Sequence, residues 1–166
     1  ALNRNTSGSS SGSGSSMAAS LAAIAVGTET DGSITSPCSI AGLVGIKPTV
    51  GLVSRAGVVP ISHSQDTAGP MTRTVADAAA LLTALAGTDP RDSATALANS
   101  KKADYTQVLD RNALKGKRLG VVRGQWAASS DIVAAAIESQ LAVLLAQGAV
   151  LVDVPEVPNA AKYGES

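Results

Sequence analysis

The chain has 166 residues, with 13 Lys and Arg against 13 Asp and Glu, and a formal net charge of zero. Its length suits one domain of ordinary size, and the even charge balance without a basic patch speaks against nucleic acid as a partner. Apolar residues make up 45%, but aromatics only 2% and Phe is absent, so the core is built from Ala, Val, Leu and Ile at about 25 cal/mol per Å² buried, and this segment is not expected to hold all of its own stabilising core.

Residues 1–16 are polar and rich in Ser and Gly. Residues 13–22 read as a small-residue helix, with Ser13 or Ser15 as N-cap. Ala23 to Val26 is a short buried strand candidate, followed by a Gly-Thr-Glu-Thr-Asp-Gly-Ser loop over Gly27 to Ser33. Ser36-Pro37 opens a helix, Ser36 capping and Pro37 at the first helical position, which Gly42 or Gly45 ends. Residues 44–62 are broken by Gly and Pro, with strand-like runs at Leu52-Val53 and Val58-Val59. Thr74 caps the clearest helix, with Asp77 at capping-box spacing. Its apolar positions Val75, Ala78, Ala79, Leu82 and Leu85 keep helical period, and Gly87 ends it. Residues 88–104 read as a polar loop. Arg118 to Val122 is a strand, Asp131 to Gln147 a helix capped by Ser130 or Asp131, and Val150 to Val154 a strand; that order predicts a parallel β-α-β unit. No internal repeat occurs, and the chain ends at Ser166 in a polar, unfinished segment.

The longest apolar stretch, Leu21 to Val26, is far short of the roughly 20 residues a membrane span needs, and no signal-peptide pattern opens the chain. The single cysteine, Cys38, excludes an internal disulfide and favours a cytoplasmic setting.

Two Ser- and Gly-bearing segments carry the chemistry. Ser7-Gly8-Ser9-Ser10-Ser11-Gly12-Ser13 precedes Gly27-Thr28-Glu29-Thr30-Asp31-Gly32-Ser33. Glycine lets a serine hydroxyl stand clear and lets successive N–H groups converge on one point, which a nucleophile and an oxyanion hole both require. On composition alone the first run also reads as a linker ahead of Met17; the segments after Met17 decide against that. The run lacks the Gly-x-Gly-x-x-Gly spacing and the Lys-Ser/Thr of a phosphate cradle.

Taken with Ala18 to Ala22, Gly27 to Ile34, Gly42 to Thr49, Gly51 to Arg55 and Asp66 to Ala78, these segments resemble, in order, the amidase signature family. The resemblance is specific over residues 7–92 and fades beyond, where residues 93–166 read as the polar loop and the β-α-β unit. Gly8 to Gly12, Thr28 to Gly32, Pro60-Ile61-Ser62 and Ser64-Gln65-Asp66 look most like the peptide amidase branch. The resemblance implies part of a mixed-sheet α/β/α fold. It also implies an amide hydrolase acting on linear carboxamides, among them C-terminal peptide amides, that releases ammonia through a seryl acyl-enzyme. In that scheme, a variant of the serine-nucleophile triad, Ser33 is the nucleophile. Ser9 is the serine of a cis peptide bond that relays a proton, and Ser10 supports Ser33. The N–H groups of Thr30, Asp31, Gly32 and Ser33 form the oxyanion hole. The triad's third member is a lysine lying upstream of the Ser/Gly run; no lysine precedes Lys47 here, so the segment alone is expected to be inactive and to need further N- and C-terminal parts of the same enzyme. No metal or organic cofactor is implied. The substrate is a small carboxamide or an amidated peptide, with neither nucleic acid nor membrane as partner. Alternatives are an amidotransferase component, a fatty- or aryl-amide hydrolase, or a catalytically dead scaffold.

Two departures stand out: Asp31 replaces a common Gly, and Thr35 stands where many members have Arg. The remaining residues read as structure. Lys47 belongs to a Lys-Pro-Thr stretch, His63 to loop packing, and Cys38 to a small buried site rather than a second nucleophile. Asp66 and Arg73 read as loop-locking hydrogen-bond partners. Glu29 either lines the site or caps the loop. Trp126 is a docking point for further sequence, and the scattered acids have no metal-site spacing.

Overall fold

A computed structural model describes residues 5–127 and 130–155. The chain divides into two compact units, residues 1–109 and residues 110–166. The polar stretch at the C-terminus lies outside the described residues.

In the first unit, α1 (Ser11–Ala18) leads to β1 (Ala25–Glu29), α2 (Thr35–Ala41), β2 (Val44–Gly45), β3 (Thr67–Thr72) and α3 (Val75–Leu85). The strands form an antiparallel sheet in the order β1-β3-β2, with Glu29 opposite Thr67 and Ala25 opposite Met71. The central strand, β3, is fully buried and was not expected: Thr-Ala-Gly-Pro-Met-Thr carries the Gly and Pro that argue against an interior strand. Pro70 is tolerated because β2 pairs β3 only at Met71 and Thr72, while the Pro70 carbonyl still accepts from Ile46 N–H at 3.1 Å. The core is two small clusters. Ile34, Cys38 and Met71 form one; Val53, Ala68 and Leu82, with Ile46, Leu52, Leu85 and Tyr105 around them, form the other.

Several element boundaries shift from the sequence reading. The first helix starts at Ser11, two residues early, with no side-chain cap. The strand begins at Ala25 and runs through Glu29, so the first three residues of the expected loop, Gly27 to Glu29, are strand. The next helix starts at Thr35 with Ile34 at the N-cap position, and Gly42 ends it as predicted. Pro37 therefore sits third in the helix, still within the first turn, where a missing N–H leaves nothing unpaired. Thr74 caps α3 as expected, accepting from Asp77 N–H, but Val75 faces solvent at 59% exposure while Leu81 is buried. Val53 makes only an isolated bridge, to Ala86, and 58–59 is not a strand.

Residues 88–104 are more ordered than a plain loop: a 3-10 turn at Ser93–Thr95 and α4 (Ala98–Lys101) lie within them. Asp92 accepts a bidentate pair from Arg55, and Asp89 accepts from Ser54 and Arg91.

The second unit keeps the predicted β-α-β order. β4 (Arg118–Val121) runs parallel to β5 (Val150–Asp153), with Leu119 opposite Leu151. Between them lie α5 (Gly124–Ala127) and α6 (Asp131–Ala146), capped by Ser130. Arg123 ties β5 and α6 together through Asp153 and Glu138.

Candidate active site

The two Ser/Gly segments, which begin at Ser7 and Gly27, meet in the fold. The Ser10 N–H donates to the Ser33 carbonyl at 3.2 Å. The Ser10 hydroxyl does not reach Ser33; it donates to the Thr28 carbonyl at 3.0 Å and accepts from the Thr28 N–H at 3.1 Å. Ser10 thus joins Ser33 through its backbone and fixes β1 through its side chain. One more tie escaped the sequence reading: the Ser7 and Ser36 hydroxyls share a hydrogen bond at 2.7 Å. Nothing in the spacing of two serines 29 residues apart signals it. The peptide bond between Gly8 and Ser9 is cis. Ser9 is exposed and Ser33 half-buried.

This close approach depends on Gly27. A side-chain carbon there would stand 2.6 Å from the Met71 sulfur and 2.9 Å from the Ser10 hydroxyl. After β1 the chain turns through Thr30, Asp31 and Gly32, the last at φ +84°, a conformation that glycine adopts at no steric cost. Ser33 follows at once, and α2 begins two residues later.

Glu29 settles into one of its two expected roles. Its carboxylate is buried and accepts the N–H groups of Ile34 and Thr35, both at 2.8 Å. Burial pushes the carboxyl pKa up, but the N–H donors of Thr35, Ile34 and Gly32 and the Thr35 hydroxyl outweigh it and leave it below the ordinary value. The side chain caps the turn and the start of α2, taking the place that Ser36 was expected to fill. This is the reason the helix begins early.

The other singled-out residues frame this turn. Asp66, buried, accepts from the Thr30 hydroxyl and from the N–H groups of Ile61 and Ser62, both at 2.8 Å. The Thr30 hydroxyl, ahead of those backbone donors, holds its carboxyl below the usual value. Arg73 donates to the carbonyls of Met17 and Ala22, locking the segment after α1. Both thus act as the loop-locking partners expected. Lys47 donates to the Gln65 carbonyl at 3.0 Å. His63 is exposed, and its carbonyl accepts from Arg55. Cys38 is 2% exposed and packs with Ile34 and Met71; burial, then the Glu29 charge, pushes its thiol up.

The amidase family profile matches residues 1–164. The chain belongs to the amidase family. Among its relatives, a probable amidase of Arabidopsis thaliana is 48% identical over 160 residues, 95% of this chain and 30% of that protein. The peptide amidase of Stenotrophomonas maltophilia is 52% identical, with a TM-score of 0.81 over 90% of this chain and 31% of that one. A glutamyl-tRNA(Gln) amidotransferase subunit of Thermotoga maritima is 35% identical, with a TM-score of 0.85 over 93% of this chain and 34% of that one. The chain therefore spans about a third of the length of the amidase relatives it matches, and within that span it has their mixed α/β fold. Among the described residues no helix is long and apolar enough to cross a membrane.

Proposed function

We propose that this chain carries the serine half of an amide-hydrolase active site, and that the protein containing it cleaves linear carboxamides, peptide C-terminal amides in particular, with release of ammonia. The observation that carries this reading is the meeting of the Ser/Gly segment with the Gly32-Ser33 turn, where the Ser10 N–H donates to the Ser33 carbonyl. The Ser33 hydroxyl attacks the carboxamide carbon and forms the tetrahedral oxyanion. The N–H groups of Thr30, Asp31 and Ser33 hold that charge, while the Gly32 N–H is turned to the Glu29 carboxylate. Ser9 passes the proton from the nucleophile to the leaving nitrogen, the C–N bond breaks, and ammonia departs. Water then attacks the acyl-Ser33 ester, releasing the carboxylic acid and restoring the hydroxyl. Peptide amides are preferred as substrates because the peptide amidase of Stenotrophomonas maltophilia is 52% identical. The setting favoured for the protein is the cytoplasm, with no metal or organic cofactor.

A second reading rests on similarity to the glutamyl-tRNA(Gln) amidotransferase subunits, one of which, from Microcystis aeruginosa, is 45% identical over 154 residues. In it the same serines release ammonia from glutamine for a partner protein. No lysine lies among residues 1–46, so in either reading the base that serves Ser9 comes from elsewhere in the protein.

The test is ammonia release from an N-acylated dipeptide amide by the full-length protein, alongside its Ser33→Ala and Ser9→Ala variants. Both variants are expected to lose activity by roughly a thousandfold or more, and the 166-residue segment alone is expected to release none. Full activity in Ser33→Ala would refute the assignment. Release from free glutamine only, and only with partner proteins present, would favour the second reading.

A further inference from the structure

We propose that Asp66 is a positioning residue for the oxyanion turn, acting through the Thr30 hydroxyl to hold the first of the N–H donors in line with Ser33. The inference rests on the amide-hydrolase reading above and extends it to a residue remote in sequence from both Ser/Gly segments.

The β1–β3 register creates the contact. Glu29 lies opposite Thr67, so the next residues along each strand, Thr30 and Asp66, stand where the ladder ends and the turn begins. Asp66 is 7% exposed, and both of its oxygens are committed. One accepts from the Thr30 hydroxyl; the other accepts from the Ile61 and Ser62 N–H groups. Its own N–H donates to the Ser62 carbonyl at 2.8 Å, so Asp66 and residues 61–62 form a closed loop tied back on itself. Asp66 also forms part of the wall of a cleft of about 270 Å³ with Arg55, Pro60, His63 and Asp92. Arg55 braces that wall, bonded to Asp92 on one side and to the His63 carbonyl on the other.

The turn is therefore held at both ends by buried carboxylates with different tasks. Glu29 takes the N–H groups of Gly32, Ile34 and Thr35, on either side of Ser33, and Asp66 takes the side chain of the residue that opens the turn. A hydroxyl-to-carboxylate bond is directional and charge-assisted. Holding Thr30 by its side chain leaves its N–H free of that duty and fixes the peptide plane that carries it. Because oxyanion donors act through placement rather than mere presence, loosening Thr30 should slow the chemical step and leave ground-state binding alone.

The experiment uses the full-length protein, an N-acylated dipeptide amide as substrate and a fluorophosphonate as a probe of nucleophile reactivity. Ser33→Ala is the control for the underlying reading. If it keeps ammonia release, that reading fails and this inference with it. With the control inactive, Thr30→Val and Asp66→Asn are each expected to lower kcat about tenfold or more, to slow fluorophosphonate labelling in step, and to leave KM little changed. Thr30→Ser, which keeps the hydroxyl, is expected to recover most of kcat, and the double variant Thr30→Val/Asp66→Asn to be no worse than the poorer single one. Unchanged kcat in Thr30→Val, a rise in KM at constant kcat, or additive losses would overturn the proposal while sparing the nucleophile assignment. Thr30→Val leaves both backbone bonds to Asp66 intact, so it decides the matter even if Asp66→Asn does not fold.

Discussion

Glu29 shows how one side chain sets the geometry of a turn. Three N–H groups converge on a buried carboxylate, and each donor left without a partner in the interior costs about 1–3 kcal/mol. Ile34 is fully buried, whereas Thr35 is exposed and its N–H can return to water. Glu29→Ala is therefore expected to destabilise the fold by about 2 kcal/mol, as measured by denaturant unfolding, with the loss concentrated at the start of α2. A change within a few tenths of a kcal/mol would mean that water replaces the carboxylate and that the turn does not depend on it. From sequence alone this role stayed undecided, because an acid in a Ser/Gly-rich loop has the same composition whether it faces a substrate or its own backbone. Asp66 and Arg73 were legible as loop locks because each stands beside Gly-, Pro- or Ser-rich turns whose backbone groups need partners; which groups they meet became visible only in the fold, through the β1–β3 register for Asp66 and the segment after α1 for Arg73.

At the scale of elements, the site exists because α1, β1 and β3 approach more closely than ordinary side chains allow. Gly27 is the point of contact, with the Met71 sulfur on one side and the Ser10 hydroxyl on the other. Gly27→Ala is expected to push β1 off one of these neighbours and to cost about 2 kcal/mol. The same displacement would weaken the two bonds between Ser10 and Thr28, so thermal unfolding and fluorophosphonate labelling of the full-length protein should fall together. A stable Gly27→Ala variant with normal labelling would show that the Met71 thioether moves aside freely. The helix and strands of residues 118–154 are legible in the sequence to within about one residue, because each has uniform periodicity and clear caps. The sheet of the first unit is not. β3 hides behind Gly69 and Pro70, β2 is only two residues long, and neither offers a pattern for periodicity to detect. Long-range pairing made them strands, and no local signal could have done so.

Across residues 1–109, carboxylates anchor turns and loops alongside two small apolar clusters. Glu29, Asp66, Asp89, Asp92 and Asp104 all have lowered pKa values, and all lie within residues 1–109. The leading causes are the Arg91 guanidinium for Asp89, the Arg55 guanidinium for Asp92, and the Thr30 and Thr106 hydroxyls for Asp66 and Asp104; Glu29 is lowered by backbone donors against its own burial. A carboxyl whose folded pKa lies below its unfolded value binds a proton more readily in the unfolded chain. Its contribution is complete above the unfolded pKa, about 4, and is lost as pH falls through the lower folded value. The melting temperature is therefore expected to be nearly constant between about pH 7 and 5 as far as these groups are concerned, and to fall steadily below about pH 4. The pairs should also differ in salt. Arg55 and Asp92 are 15% and 8% exposed, whereas Arg91 is 77% exposed beside Asp89, and screening acts chiefly on exposed charge. Asp92→Asn should therefore flatten the acid limb at high salt as well as low, while Asp89→Asn should flatten it chiefly at low salt. Thermal melts of the full-length protein and both variants across pH, in dilute buffer and near-molar NaCl, provide the check. A melting temperature that holds through the acid range in the unsubstituted protein would mean that these carboxylates gain as much from water in the unfolded chain as from their partners in the fold.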